Sequence, residues 1–474
     1  MNAASLAWIE DALRESLKQV PHGGAAVAAL DGYRSFVATD QRSPDQPVCE
    51  STPFHICSCS KMFVAAAFSR LVEEGVARWD EPAMRVIPEF RLSDESLTKK
   101  VTFRDLAGMR VGLTREGVAE WGFRQEVPKE ARLERARHMR LSGRFRADFN
   151  YSNLCYIALG LATERLSNRS LNELMLEAIF EPAGMGDSLS SGFGSPPPPG
   201  CAEPHMPIDG AARRVAELTG PNSEGSARVY LSARDAVKWM EWLIAADRAP
   251  DGQAQQALAT IMSPQTAIGA ADLRQAPEGG ETAYGMGFVI TNFAGGRLLS
   301  HGGGGRGWRH MIALLPERQL GVTLMVAAES PLVDGIALDL LDRMAGLPSR
   351  RWAERFAEHA IRIAHADHKK INQVFPVGGR AGRAIDDLLG DYSNPVTGSV
   401  RVYREHDEIR FQPLDAPIFN GRLRPLGGNV HTINFDEMAL APQPLDPLFR
   451  VKAARYSGGA VMRTSYFGDL RLSS

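Results

Sequence analysis

The stretch Phe54-His55-Ile56-Cys57-Ser58-Cys59-Ser60-Lys61, running on through residues 62–75 as MFVAAAFSRLVEEG, decides how this chain is read. Its Ala-rich composition predicts a helix after Lys61, and Gly75 supplies the C-terminal cap. At the start of that helix Ser58 and Lys61 share a face, so the ammonium of Lys61 reaches the hydroxyl of Ser58. Ser60 is adjacent to Lys61 and cannot share that face. A serine hydroxyl is a weak nucleophile until a base takes its proton, and a lysine becomes such a base where burial and neighbouring positive charge lower its pKa. The helix N-terminus adds a positive end near the attacked carbonyl. Alone, Ser-x-x-Lys is a weak signal, because a four-residue pattern with two fixed positions arises by chance in most chains this long.

Two further constellations follow. Tyr151-Ser152-Asn153 precedes a helical stretch from Leu154 to Leu166. A phenol there relays a proton between nucleophile, lysine and leaving group, and the Asn153 amide orients Lys61 and a substrate carbonyl. The plainer reading is a helix start with a packed aromatic. His301-Gly302-Gly303-Gly304 ends a strand-like piece, RLLSH, and continues as Gly305-Arg306-Gly307-Trp308-Arg309. Glycines let a substrate backbone lie against the strand, and a following N–H completes an oxyanion hole with that of Ser58. Arg306, Trp308 and Arg309 read either as the cleft rim or as a packed strand end.

In this order the three motifs resemble those of the penicillin-recognising serine hydrolases: penicillin-binding proteins, class C β-lactamases, related esterases and D-aminopeptidases. Supporting text is Val101 to Leu106 followed by Gly112-Leu113, Phe180 to Met185, Leu231 to Asp235, and Tyr284 to Phe288. The resemblance covers roughly residues 20 to 345. His301, where many members carry Lys, points away from penicillin-binding proteins and β-lactamases, and with HGGGGRGWRH and ICSCSKMF the resemblance is strongest to the bacterial D-aminopeptidases and D-amino-acid amidases. It implies an α+β (α/β) penicillin-binding-protein-like transpeptidase fold, an antiparallel sheet flanked by helices with a helical subdomain. It also implies that Ser58 attacks an amide or ester, that Lys61 with Tyr151 moves the proton, and that the N–H groups of Ser58 and Gly304 hold the oxyanion. Asn153, His301, Gly303, Arg306 and Trp308 then complete substrate binding. The alternatives are an esterase or peptidyl thioesterase using the same acyl-enzyme, and a non-catalytic ligand-binding relative.

Beyond these motifs, Gly24 to Asp40 reads as two strands around an Asp31-Gly32 hairpin. Tyr284–Thr291, Arg297–His301, Met311–Leu315 and Gly321–Ala327 read as later strands. One sheet closed by distant segments fits this better than a doubly wound parallel sheet. The run Ser195 to Gly200, with four prolines, marks a loop. Three regions are expected: a catalytic domain over 1–345, a helical linker over 346–387, and a C-terminal antiparallel, lipocalin-like β-barrel over 388–474. The barrel is read from period-two pairs such as Val400/Val402, Ile409/Phe411 and Ile433/Phe435, with Phe449/Val451 and turn signals at 427–429 and 457–459. The D-aminopeptidases carry two barrels, and this chain has room for one.

Composition is that of an ordinary globular chain: 474 residues, 44% hydrophobic, Lys+Arg 54 against Asp+Glu 56. The near-neutral balance argues against a nucleic-acid partner, which needs a basic surface excess. Five dispersed cysteines suit a reducing compartment, and Cys57 and Cys59 read as small buried hydrophobes beside Ser58. The N-terminus reads as an amphipathic helix (Leu6, Ile9, Leu13, Leu17, Val20) rather than a secretory signal, and no apolar run spans a bilayer. A cytoplasmic protein is expected, acting on a small peptide, amide or ester, with no cofactor and no membrane partner and with a homo-oligomer left open. His359, His365 and His368 lack a metal-site pattern and read as a solvated helix.

Overall fold

The computed structural model describes residues 8–32, 34–41, 48–113, 127–190, 197–208, 210–215, 217, 225–248, 253–269, 273–375, 385–427, 430–436, 450–456, 459–464 and 469–472. Of the residues named above, Leu6, Ser195, Pro196, Gly428, Asn429, Phe449, Ser457 and Gly458 lie outside them.

Eight strands form the main sheet: β1 (Gly24–Asp31), β2 (Arg34–Gln41), β3 (Thr266–Ala267), β4 (Thr282–Tyr284), β5 (Val289–Phe293), β6 (Gly296–Gly305), β7 (Trp308–Leu315) and β8 (Leu320–Val326). Their order is β2-β1-β8-β7-β6-β5-β4-β3, and every neighbouring pair is antiparallel. The first strands therefore pair with the last, with Ala25 opposite Val326. Small residues in β1 (GAAVAALD) let both faces be covered, and alternate side chains sort into two cores. Val27, Met311, Val322 and Leu324 pack under helices α1 (Trp8–Leu17) and α5 (Leu332–Met344). Ala26, Leu299, Ile312 and Met325 face α2 (Ser60–Glu73), α3 (Asn153–Ser167) and α4 (Ala233–Arg248). Each large aliphatic side chain so buried contributes about 2 kcal/mol.

Two strand expectations need correction. Tyr284–Thr291 is not one strand: β4 ends at Tyr284 and β5 begins at Val289, because Gly287 at φ 87° turns the chain between them. The strand ending at His301 instead continues through the glycines to Gly305, since ladder pairing with β7 uses main-chain groups that glycine keeps.

After α6 (Trp352–Val374), eight strands make a closed antiparallel barrel: β9 (Gly390–Asn394), β10 (Gly398–Glu405), β11 (Glu408–Pro413), β12 (Gly421–Gly427), β13 (Val430–Phe435), β14 (Arg450–Tyr456), β15 (Gly459–Thr464) and β16 (Asp469–Leu472). Pairing of Tyr392 with Leu472 closes it. Alternate residues, among them Val400, Val402, Ile409, Phe411 and Ile433, fill its core.

Candidate active site

Phe54–His55 pairs with Tyr230–Leu231, and the chain then enters a tight turn over Cys57–Cys59 that leads into α2. Cys57 sits at φ 50°, a left-handed conformation that costs a non-glycine residue on the order of 1 kcal/mol. This turn has a visible result: from residue 54 to residue 69, Ser58 alone is not buried. Ser60 is committed elsewhere, because its Oγ accepts from the N–H groups of Arg228 and Val229 at 3.1 and 3.0 Å.

Lys61 is wholly buried, and its Nζ donates to Ser58 Oγ at 3.1 Å and to the Ser226 carbonyl at 2.8 Å. The Tyr151 ring stands 5.1 Å from that nitrogen and the Tyr156 ring 5.8 Å. Two bonds place Tyr151 just before α3: Asn150 N–H to the Met109 carbonyl, 2.8 Å, and Ser152 N–H to Met109 Sδ, 3.2 Å. Asn153 is the first residue of α3 and lies off the cleft lining.

Strand β6 presses against this turn. A Cβ at Gly303 would stand 2.2 Å from the Ile56 carbonyl oxygen, so only glycine fits. Cys59 Sγ donates to the His301 carbonyl at 3.2 Å. Strand β5 pairs with β6 only as far as Ser300, whereas β7 pairs with it to Gly305. Among the described residues, then, one edge of β6 is unpaired from His301 to Gly305, the form of edge onto which an extended substrate adds as a strand.

His301 Nδ1 lies 2.7 Å from the Gly302 carbonyl, which can only accept, so Nδ1 carries the proton and Nε2 accepts from Tyr284 Oη at 3.4 Å. Burial, with Lys61's charge behind it, pulls this imidazole down to about 3. It is therefore neutral at pH 7 and presents hydrogen-bonding nitrogens rather than a charge.

Ser58, Tyr151, His301, Gly304, Arg306 and Trp308 all line one cleft of about 400 Å³. Lys61 stands behind that lining, bonded to Ser58, and Gly303 is packed on the Ile56 carbonyl. Trp308 satisfies both readings of its position, since it is packed edge-on against Phe54 and His55 at 6.2 and 6.3 Å yet reaches the cleft. Sequence reasoning missed Arg274, Gln275, Glu329 and Asp334, which also line it. Asp334, at the start of α5, accepts from Arg309 Nε at 2.8 Å and from a second guanidinium nitrogen. No local pattern marks that pair. Burial raises both flanking thiols, Cys59 to about 12, so Cys57 and Cys59 stay protonated and unreactive. Among the described residues no group of three or more His, Cys, Asp or Glu is placed to hold a metal ion. No helix among them is long and apolar enough to cross a membrane.

Comparison with known proteins agrees with this geometry. The beta-lactamase family model matches residues 9–346. An unguisins hydrolase from Aspergillus campestris is 25% identical over 342 residues, which is 68% of this chain and 61% of that protein's length. A D-aminopeptidase from Brucella anthropi is 24% identical over 382 residues, 78% of this chain and 68% of its own. Other matched names include a D-alanyl-D-alanine-carboxypeptidase/endopeptidase and an esterase. The octameric penicillin-binding protein homologue from Pyrococcus abyssi shares the fold over 99% of this chain and 100% of its own, with a TM-score of 0.61 at 18% identity.

Proposed function

The chain belongs to the beta-lactamase family of serine hydrolases, and on that premise we propose that it is a D-aminopeptidase or D-amino-acid amidase. It releases N-terminal D-residues from short peptides or amides through an acyl-enzyme on Ser58. The observation that carries this is the 3.1 Å contact between Lys61 Nζ and the one accessible residue of its turn. In its neutral form Lys61 takes the Ser58 proton along that contact as Oγ attacks the carbonyl, and Tyr151, beside the same nitrogen, passes it to the leaving amine. The N–H groups of Ser58 and Gly304 hold the oxyanion, a donor pair of which each member is worth about a hundredfold in rate in other hydrolases. Water then releases the acyl group. His301 positions the substrate, with Arg306 and Trp308 at the rim, and Asn153, at the start of α3, orients Lys61.

The D-aminopeptidase reading draws on the match over 78% of this chain and on Glu329 at the cleft, a carboxylate suited to a substrate's free ammonium. The esterase reading draws on the matched esterase. Two further lines support the setting: none of the five cysteines forms a disulfide, which suits the cytoplasm, and the octameric homologue favours a homo-oligomer.

The test compares turnover of a D-alanyl amide, its L enantiomer, its N-acetyl derivative and a short-chain ester. Intact-mass analysis of parent and Ser58→Ala protein accompanies it. An adduct lost in Ser58→Ala and a preference for the free-amine D-amide are expected. Preference for the ester without stereoselectivity would move the assignment to an esterase, and no adduct with any substrate would leave a binding protein.

A further inference from the structure

A short hairpin of the catalytic domain, His205–Ile208 paired with Ala211–Arg214, forms a two-stranded sheet separate from the main one. Its apolar side chains do not join either core of that sheet. Met206 and Val215 are buried in the barrel's core with Tyr392, Val400 and Phe411, and Ile208 packs against the same cluster. The root of the hairpin is fixed at the cleft. His205 N–H donates to the Gly307 carbonyl at 3.3 Å, and Val215 N–H donates to that of Pro204 at 3.0 Å. Gly307, at φ 83°, lies so near that a Cβ there would stand 2.6 Å from Pro204 Cβ and 2.8 Å from His205 N. Gly307 belongs to the two-residue turn joining Gly305 of β6 to Trp308 of β7, and both of those residues line the cleft. On the other side the barrel is tied to the helical part of the catalytic domain. Arg135 pairs with Asp415 at 2.6 Å, and Val396, between β9 and β10, is buried in the catalytic core.

We propose that the barrel is a positioning element for the reaction, with Met206 as the positioning residue. By burying Met206 the barrel holds the hairpin root against the Gly307 turn, and so holds the strand carrying Gly304 at its working distance from Ser58. This rests on the oxyanion role proposed for Gly304. A donor that acts on charge developing in the transition state affects kcat more than KM when it is displaced. Packing alone, without this connection, would alter stability and leave that ratio unchanged.

The experiment measures hydrogen exchange of residues 304–309 and the kcat and KM for a p-nitrophenyl ester in the parent, Met206→Ser and Met206→Leu. Met206→Ala replaces the serine variant if that does not fold. Exchange is read without turnover, so a parent that hydrolyses no ester would count against the hydrolase assignment and leave exchange to decide the coupling. In Met206→Ser, exchange over 304–309 at least tenfold faster is expected, with kcat down about tenfold, KM within threefold, and both restored by Met206→Leu. Faster exchange confined to 205–215, with 304–309 and kcat as in the parent, would overturn the proposal.

Discussion

Substituting Gly303→Ala tests whether the close approach of β6 to the Ser58 turn sets activity. The added Cβ would lie 2.2 Å from the Ile56 carbonyl oxygen and 3.1 Å from Cys59 Sγ. Backbone oxygen cannot swing aside as a flexible side chain does, so strand and turn must separate by about 1 Å to reach ordinary contact. A displacement of about 1 Å at a reacting group costs on the order of a hundredfold in rate, equivalent to about 2.7 kcal/mol of barrier. Overpacking also lowers stability by about 1–3 kcal/mol. Gly296→Ala on the same strand is the control, because its Cβ would meet nothing closer than Glu317 Oε2 at 3.6 Å. The assay is single-turnover acylation with an activated ester, with thermal unfolding run in parallel. Gly303→Ala should lose about a hundredfold in acylation rate, and Gly296→Ala should stay within threefold of the parent. A folded Gly303→Ala protein that acylates within fivefold of the parent would refute the argument.

Buried histidines make stability depend on acid. His55 is held well below its ordinary value, and His301 and His310 are held near 3, all chiefly by burial. The unfolded chain binds their protons below about pH 6.5 while the folded chain does not, so their contribution is present above 6.5 and is lost as pH falls toward 3. Each such site adds a slope of up to about 1.4 kcal/mol per pH unit. Urea unfolding from pH 6.5 to 5, where carboxylates of the unfolded chain stay mostly ionised, should show stability falling, and His310→Gln should flatten the fall; a level profile would contradict it. Asp334→Asn removes the paired carboxylate from the Arg309 guanidinium, which is 24% exposed at the cleft, a loss of about 2 kcal/mol that denaturant titration reads directly. A change under about 0.5 kcal/mol would mean solvent already screens the pair.

The site was legible wherever its geometry is local. Ser58 and Lys61 meet because they are three residues apart on one short helical segment, and the same spacing sets Ser60 aside. The Asp31-Gly32 hairpin and the alternating pairs at 400/402 and 409/411 are likewise properties of a few neighbouring residues. Tyr151 and His301 were found by their company, but their distances from Lys61 were not available from the chain. Strand β6 was cut short at His301 because glycines carry no side-chain pattern, whereas the β7 partner needs only their N–H and C=O groups.

Neighbouring residues alone carry the pairing of Ser58 with Lys61, the order of the three motifs, the antiparallel sheet drawn from both ends of the first 345 residues, and the alternating barrel. Packing of distant segments is what requires glycine at 303, pairs Arg309 with Asp334, brings Glu329 and Arg274 to one cleft, and seats in the barrel the hairpin rooted at Gly307. The division follows range. Periodicity and turn chemistry act over a few residues and are written in them. Close approach and ion pairing between distant segments come into being only when β6, β7 and α5 pack together, and no residue carries that distance in its identity.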